Sequence, residues 1–204
     1  MKRYSIAVLV SGTGRHLENL ADLSKDPRAD FPIDVALVIS NRPGVLALER
    51  ADRSGVPSVV IEPEPSETDE AYGRRIFEAI DAAKVDAVVL AGFLKKLWIP
   101  DAYAGRVINI HPSLLPAFGG KGFYGSRVHR AVLERGCHVT GCTVHLVDDI
   151  YDNGPILLQR WCPVEKGDTV ETLASRVFEQ ELLALPMGVL SFLEGKSGPG
   201  SPVD

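Results

Sequence analysis

The stretch Ile6-Ala7-Val8-Leu9-Val10-Ser11-Gly12-Thr13-Gly14 joins an apolar run directly to a glycine-rich turn. A continuous apolar run is typical of a β-strand that is buried on both faces of a sheet. The backbone N–H groups of a Gly-x-Gly turn at the start of a helix form a site for an anion. Leu17 stands where a dinucleotide fingerprint needs its third glycine. The turn therefore indicates a site for a single phosphate, with Arg15 as a nearby cation, or else a plain tight turn.

Similar apolar runs recur along the chain and alternate with helical patterns. The runs cover residues 34–39, 56–61, 85–90 and 107–111. Between them, apolar residues such as Leu17, Leu20 and Leu23 recur at helical spacing. Strands that alternate with helices predict βαβ units and a parallel sheet. We therefore predict an α/β, Rossmann-like fold, which is a mostly parallel twisted sheet with helices on both faces.

The C-terminal part of the chain has a different pattern. A helix is predicted over 126–135 and two strands over 139–147 and 156–164, so that this part carries an antiparallel strand. Asp168-Thr-Val-Glu171 is similar to a capping box and predicts the start of a helix, which Pro186 is expected to kink or end. We predict a single domain over residues 1–194 and a disordered tail over 195–204.

Composition limits the function classes. The chain has 204 residues, of which 45% are hydrophobic, and a formal net charge of -5. These values exclude a largely disordered chain and argue against a nucleic-acid partner. Three cysteines without a C-x-x-C pair, Cys137, Cys142 and Cys162, favour a reducing compartment. Because the N-terminal apolar run is short and lacks a cleavage pattern, we expect a cytoplasmic protein with no membrane partner.

The segment Val107-Ile108-Asn109-Ile110-His111-Pro112 is a strong candidate for chemistry. Alternate residues of a strand share a face, so Asn109 and His111 project together near the carboxyl end of the strand. Ligands bind at that edge of open α/β sheets. An amide that donates a hydrogen bond, beside an imidazole that moves a proton, suits a developing oxyanion. The alternative is that both side chains satisfy loop carbonyls.

An acidic loop supplies candidate partners for the imidazole. A carboxylate close to a histidine favours the charged ring, and Asp148, Asp149 or Asp152 could play that part. Spacing alone does not choose among them. We interpret His145, inside an apolar strand, as a satisfied structural residue, and we expect His129 and His138 on the surface. The sequence shows no convincing metal-ligand spacing, so we predict no metal.

Several motifs together resemble the phosphoribosylglycinamide formyltransferases, members of the folate-dependent formyltransferase group. They are Ser11-Gly-Thr-Gly14, Ala91-Gly-Phe93, Asn109-Ile-His-Pro-Ser-Leu-Leu-Pro116, Gly141-Cys-Thr-Val-His145 and Asp152-Asn-Gly-Pro155. The resemblance implies transfer of a formyl group from 10-formyltetrahydrofolate, as cosubstrate, to the amine of glycinamide ribonucleotide in purine synthesis. It implies small-molecule partners. We expect a monomer or a homodimer, and the sequence does not distinguish the two.

The resemblance also implies roles for single residues. By match to the family's motifs, Asn109, His111 and Asp152 are the catalytic residues, with Asp152 favouring the protonated ring of His111. The same match implies two sets of binding residues. Those for the ribonucleotide are Gly14, Arg15, His16 and Glu181, and those for the folate are Leu94, Lys95, Lys96 and Leu97.

The chain departs from the family pattern at several positions. Arg15 and His16 replace small polar residues, Lys95 replaces a common arginine, and Asp69 stands where some members have a folate-contacting arginine. The 118–125 loop is longer than in several relatives. The alternatives are formyl transfer to methionyl-tRNA or a sugar nucleotide, a formyltetrahydrofolate hydrolase, and a noncatalytic nucleotide-binding module. A hydrolase is expected to have an added N-terminal regulatory domain, for which a first strand that begins by Ser5 leaves no room. A tRNA enzyme is expected to have an added C-terminal domain, which a chain ending at Asp204 does not accommodate.

Overall fold

The structure is a computed structural model that describes residues 2–196. Its strands form one sheet in the order β3-β2-β1-β4-β5-β6-β7. The strands are β1 Tyr4–Val10, β2 Ile33–Ser40, β3 Ser58–Val60, β4 Ala87–Leu90, β5 Val107–His111, β6 Val139–Leu146 and β7 Ile156–Pro163. The helices are α1 Arg15–Lys25, α2 Leu46–Arg53, α3 Asp69–Ala83, α4 Ser126–Glu134 and α5 Val170–Leu193, with a 3-10 turn at Asp101–Tyr103.

The chain divides into two compact units at a point inside β5, the first being Met1–Ile108 and the second Asn109–Asp204. In the first unit β1 pairs in parallel with β2 and β4, and β2 pairs in parallel with β3. In the second unit β6 and β7 are antiparallel. The predicted mostly parallel sheet, with its antiparallel C-terminal strand and helices around it, is confirmed.

The first unit differs from the prediction in two places. Residues 58–60 form a strand at the outer end of the sheet order, where Val59 and Val60 are exposed. The apolar run over residues 56–61 was expected to be buried on both faces. A strand at the edge of a sheet has a neighbouring strand on one side only, so its side chains are less covered. Helix α2 was not predicted, because its buried residues are the small Ala47 and Ala51, which make a weak apolar stripe.

In the second unit α5 packs on β6 and β7. Its N-cap is Thr169, whose hydroxyl accepts from the Thr172 backbone N–H while Thr172 in turn accepts from the Thr169 N–H. The predicted capping box was therefore placed one residue too early. Pro186 lies inside α5 and does not end it, so the helix continues to Leu193. The single domain over 1–194 stays a prediction, and residues 197–204 of the predicted tail lie outside the described residues.

Candidate active site

Strand β5 sets the geometry of the candidate site in the second unit. His111, its last residue, is buried, and Asn109 is half-buried. The two side chains lie two residues apart and share one face of the strand, as predicted. The alternation therefore places an amide and an imidazole together.

Asp152 is the acidic-loop residue that lies against His111. Its Oδ2 atom is 3.4 Å from His111 Nδ1 and accepts a hydrogen bond of 2.8 Å from the Gly120 backbone N–H. The Asp152 side chain is only 12% exposed, and its backbone has a φ of 55° in the left-handed region. This geometry puts Asp152 beside His111 within the second unit, and Asn109 shares the strand face of His111.

Asp148 has a different part in the same loop. Its carboxylate accepts hydrogen bonds from the Ile150 backbone N–H at 2.8 Å and from Asn153 Nδ2 at 3.1 Å. Asp148 therefore organises the turn that carries Asp152. The sequence left three aspartates open as partners of the imidazole, and the structure puts Asp152 beside it.

Both ring nitrogens of His111 face acceptors. Nε2 lies 2.9 Å from the backbone carbonyl of Phe118, and since a carbonyl only accepts, this nitrogen carries a hydrogen. Nδ1 faces the Asp152 carboxylate. Each ring nitrogen of His111 therefore has an acceptor close to it.

The loop that follows His111 is anchored by a polar network. The Thr143 hydroxyl donates to the Ser113 carbonyl at 2.7 Å and accepts from the Leu115 N–H at 3.0 Å. Gln159 Nε2 also donates to Thr143 Oγ1, at 2.9 Å. Thr143 and Gln159 are supports of the site that were not predicted from the sequence. The available signal was the alternation in β6, which puts residues 143 and 145 on one face.

His145 lies beside the other site residues in the same unit. It is 1% exposed, and its Nδ1 donates to the Leu146 carbonyl at 2.8 Å. Its Nε2 lies 3.0 Å from Asn109 Nδ2. The ring is satisfied, as expected for a structural residue, but one of its two partners is a predicted catalytic side chain.

His129 is buried in α4, so its predicted surface position is wrong. It lies on the same helix face as Val128 and Val132, which form the apolar stripe of α4. Burial lowers the pKa of His129, while the negative charge of Glu181 opposes that shift. Glu181, a predicted ribonucleotide contact, is itself buried on α5. His138 is exposed, as predicted.

The glycine turn of the first unit packs against α2. Gly14 is the N-cap of α1 with a φ of 72°, and a Cβ atom there would lie 2.6 Å from Ala47 Cβ. The positive φ disfavours a residue with a side chain, and the Cβ atom of such a residue would clash with Ala47. Arg15 is exposed, and His16 is half-buried. Backbone conformation and packing therefore favour glycine at position 14, in addition to the role in phosphate binding that the sequence predicts.

The 94–97 segment adjoins this turn within the first unit. The Leu94 backbone N–H donates to Ser11 Oγ at 2.9 Å. Leu94 and Lys96 are exposed, whereas Leu97 is buried. Lys95 Nζ pairs with Asp69 at 2.9 Å, so two positions at which the chain departs from the family pattern contact each other.

Among residues 2–196 no group of three or more His, Cys, Asp and Glu side chains could hold a metal ion. Within the same range no helix has the length and apolar character needed to cross a bilayer.

Comparison with known proteins gives consistent results. The family model described as formyl transferase matches residues 4–189. The chain is 39% identical over 196 residues to the trifunctional purine biosynthetic protein adenosine-3 of Drosophila melanogaster, covering 95% of this chain and 14% of that protein. It is 39% identical over 186 residues to the chloroplastic phosphoribosylglycinamide formyltransferase of Vigna unguiculata, covering 89% and 58%. The chain thus spans less than two thirds of these relatives.

A solved structure matches over nearly its full length. Glycinamide ribonucleotide transformylase 1 from Symbiobacterium toebii superposes with a TM-score of 0.88 at 40% identity, covering 95% of this chain and 89% of that one. The resemblance inferred from the motifs is confirmed. The chain belongs to the formyl transferase family.

Proposed function

We propose that this protein transfers the formyl group of 10-formyltetrahydrofolate to the amine of glycinamide ribonucleotide, a step of purine synthesis. The observation that carries the proposal is the cluster of Asn109, His111 and Asp152 in a chain of this family. The cluster offers an amide donor, an imidazole with an acceptor near each ring nitrogen, and the carboxylate that is one of those acceptors.

The proposed reaction begins with the neutral amine of the ribonucleotide, which attacks the formyl carbon. The carbonyl electrons move to oxygen, and the resulting oxyanion accepts hydrogen bonds from the Asn109 amide and the protonated His111. When the carbonyl re-forms, the bond between carbon and the folate nitrogen breaks. His111, or a water that it orients, supplies a proton to that nitrogen. The proton that the attacking amine loses passes to His111 or to water, so the ring returns to its starting state. The products are the formylated ribonucleotide and tetrahydrofolate.

Asp152 acts on the reaction through His111. A carboxylate at 3.4 Å from Nδ1 stabilises the charged ring, which is the form that donates to an oxyanion. His111 Nε2 is bonded to the Phe118 carbonyl. Donation by that nitrogen to the substrate therefore requires the formyl oxygen to replace the Phe118 carbonyl as acceptor.

Binding roles follow from the family match. We assign Gly14, Arg15, His16 and Glu181 to the ribonucleotide, and Leu94, Lys95, Lys96 and Leu97 to the folate. We further propose that residues 1–194 act as one formyltransferase domain, working as a monomer or a homodimer in the cytoplasm. Free thiols at Cys137, Cys142 and Cys162 are consistent with a reducing compartment.

The test is a direct assay of product. The protein is incubated with glycinamide ribonucleotide and 10-formyltetrahydrofolate, and deformylated folate is followed by absorbance. We expect product that depends on the ribonucleotide. Parallel reactions with methionyl-tRNA, with an amino sugar nucleotide, or without any acceptor test the alternative acceptors and hydrolysis. A folded protein that binds the ribonucleotide but forms no product at saturation refutes the proposal.

A further inference from the structure

His145 is held by one hydrogen bond at each of its ring nitrogens. Nδ1 is 2.8 Å from the Leu146 carbonyl, and Nε2 is 3.0 Å from Asn109 Nδ2. The side chain is 2% exposed, so no solvent replaces either partner. The mechanism above assigns His145 no part, although it contacts one of the groups proposed to bind the oxyanion.

The two partners determine where the ring carries its hydrogen. A carbonyl oxygen only accepts, so Nδ1 carries the hydrogen. Burial lowers the pKa of His145 despite the opposing charges of Asp152 and Asp148, which favours the neutral ring. A neutral ring with its hydrogen on Nδ1 has an acceptor at Nε2, which receives an N–H of the Asn109 amide.

The orientation of the Asn109 amide follows from this tautomer. If the amide were turned over, its oxygen would meet the unprotonated Nε2, and two acceptors would face each other. Asp152 Oδ1 lies 3.7 Å from Nε2, beyond hydrogen-bond distance, so it does not compete for that nitrogen. Asn109 therefore directs its NH₂ group toward His145 and keeps its second N–H for another acceptor.

We propose that His145 is a positioning residue, which fixes the Asn109 amide so that its second N–H donates to the oxyanion of the formyl transfer. The inference rests on the proposed function for its catalytic consequence. The hydrogen bond between His145 and Asn109 and its effect on turnover are measured separately.

The hydrogen bond is tested in the wild-type protein by nuclear magnetic resonance. Nitrogen-15 shifts of labelled histidine distinguish a protonated ring nitrogen from an unprotonated one. At neutral pH we expect the His145 ring to be protonated at Nδ1 and unprotonated at Nε2. A hydrogen on Nε2, in the neutral or the charged ring, overturns the inference. This measurement needs neither a substitution nor enzyme activity.

The effect on turnover is tested with a double-mutant cycle. His145→Leu removes the acceptor and keeps an apolar side chain of moderate size. We expect it to lower kcat at least about tenfold, since a lost oxyanion donor costs about 10²–10³ in turnover. In the Asn109→Ala background the same substitution should cost less than about threefold, because residues that act as a unit are not additive. Equal losses in both backgrounds overturn the inference.

A conservative variant separates positioning from packing. The amide oxygen of His145→Gln reaches the position of Nε2 and accepts from Asn109, so this variant should retain more kcat than His145→Leu at similar KM. Thermal unfolding of each variant checks the fold. Equal kcat for the two variants contradicts the inference. A wild-type protein without formyl transfer refutes the proposed function and the effect on turnover, while the ring nitrogen shifts still decide the hydrogen bond.

Discussion

Asp152 is held at one oxygen by a backbone donor and by an imidazole. The Gly120 backbone N–H donates to Oδ2, and His111 Nδ1 lies 3.4 Å from the same oxygen. A carboxylate that is fixed in this way loses little freedom when the neighbouring ring becomes charged. Its charge, more than its shape, is what the proposed mechanism uses.

Asp152→Asn isolates that charge. The amide oxygen still accepts from Gly120, but the carboxylate that stabilises the protonated ring is gone. We expect kcat to fall about 10²-fold or more, as for the loss of a group that acts on the oxyanion. The measurement is steady-state formyl transfer by the purified variant.

Asp148→Asn is the matched control in the same loop. Its amide oxygen still accepts from the Ile150 N–H. The introduced amide has one acceptor oxygen where the carboxylate has two, so the hydrogen bond from Asn153 Nδ2 is lost. A hydrogen bond of this kind is worth about 1 kcal/mol, so kcat should stay within about fivefold of wild type. Equal losses in the two variants would contradict the assignment of Asp152.

At the scale of elements, the start of α5 depends on Asp168. Its carboxylate accepts from Arg176 at 2.7 and 2.9 Å, from the Glu165 backbone N–H at 2.7 Å and from the Thr172 hydroxyl at 2.9 Å. These bonds, that of Arg176 first, hold the pKa of Asp168 well below its usual range. The side chain is 4% exposed. This cluster ties the loop after β7 to the first turns of the helix.

Asp168→Asn should lower the free energy of unfolding at pH 7 by about 1–3 kcal/mol, because a buried network loses its charged acceptor. A lowered carboxyl pKa stabilises the fold above the pKa of the unfolded chain, and this contribution is lost as the pH falls. The difference between variant and wild type should therefore narrow below about pH 4. Urea unfolding at several pH values measures this difference in the free energy of unfolding.

Glu70→Gln is the control, since Glu70 pairs with Arg74 on an exposed helix face at 2.7 Å. Such pairs contribute about 0.3–0.5 kcal/mol. An Asp168→Asn loss that is no larger than this, or that is the same at pH 3 and pH 7, would contradict the account of the cluster.

The elements differ in how far their sequences predict them. β1, β4 and β5 are buried runs whose length and composition identify them. β3 has the same kind of sequence but lies at the sheet edge, because strand order depends on contacts distant in the chain. α5 continues through Pro186 although proline disfavours a helix interior. Its packing against β6 and β7 provides a reason that local sequence does not contain.

Local sequence also predicts only part of the candidate site. The period of a strand predicts that Asn109 and His111 share a face. It does not predict that Asp152 reaches His111, which depends on the turn that Asp148 closes, or that His145 reaches Asn109 from another strand. Alternation in β6 puts Thr143 on the same face as His145, but it does not specify the three hydrogen-bond partners of the Thr143 hydroxyl.

At the scale of the whole molecule, two buried histidines couple stability to pH. Burial lowers the pKa of both His129 and His145. Between each lowered pKa and the unfolded value of about 6.5, the unfolded chain binds protons that the folded chain does not. The stabilising contribution of the neutral rings is therefore present above pH 6.5 and is lost as the pH falls through the folded pKa values.

The slope of stability against pH tests this coupling. Below pH 6.5 the free energy of unfolding should fall by up to about 1.4 kcal/mol per pH unit for each histidine. His129→Gln should make the slope shallower, since it removes one of the two groups. Urea unfolding between pH 7.5 and 5 measures this slope for the wild type and for the variant. A slope that is unchanged in the variant would contradict the prediction for His129.

The most direct test of the central claim is the turnover of His111→Ala with glycinamide ribonucleotide and 10-formyltetrahydrofolate. Since His111 is proposed to donate to the oxyanion, kcat should fall about 10²–10³-fold or more while the protein remains folded. His138→Ala, at an exposed histidine, is the matched control and should keep wild-type turnover. Near-wild-type turnover of folded His111→Ala would contradict the account.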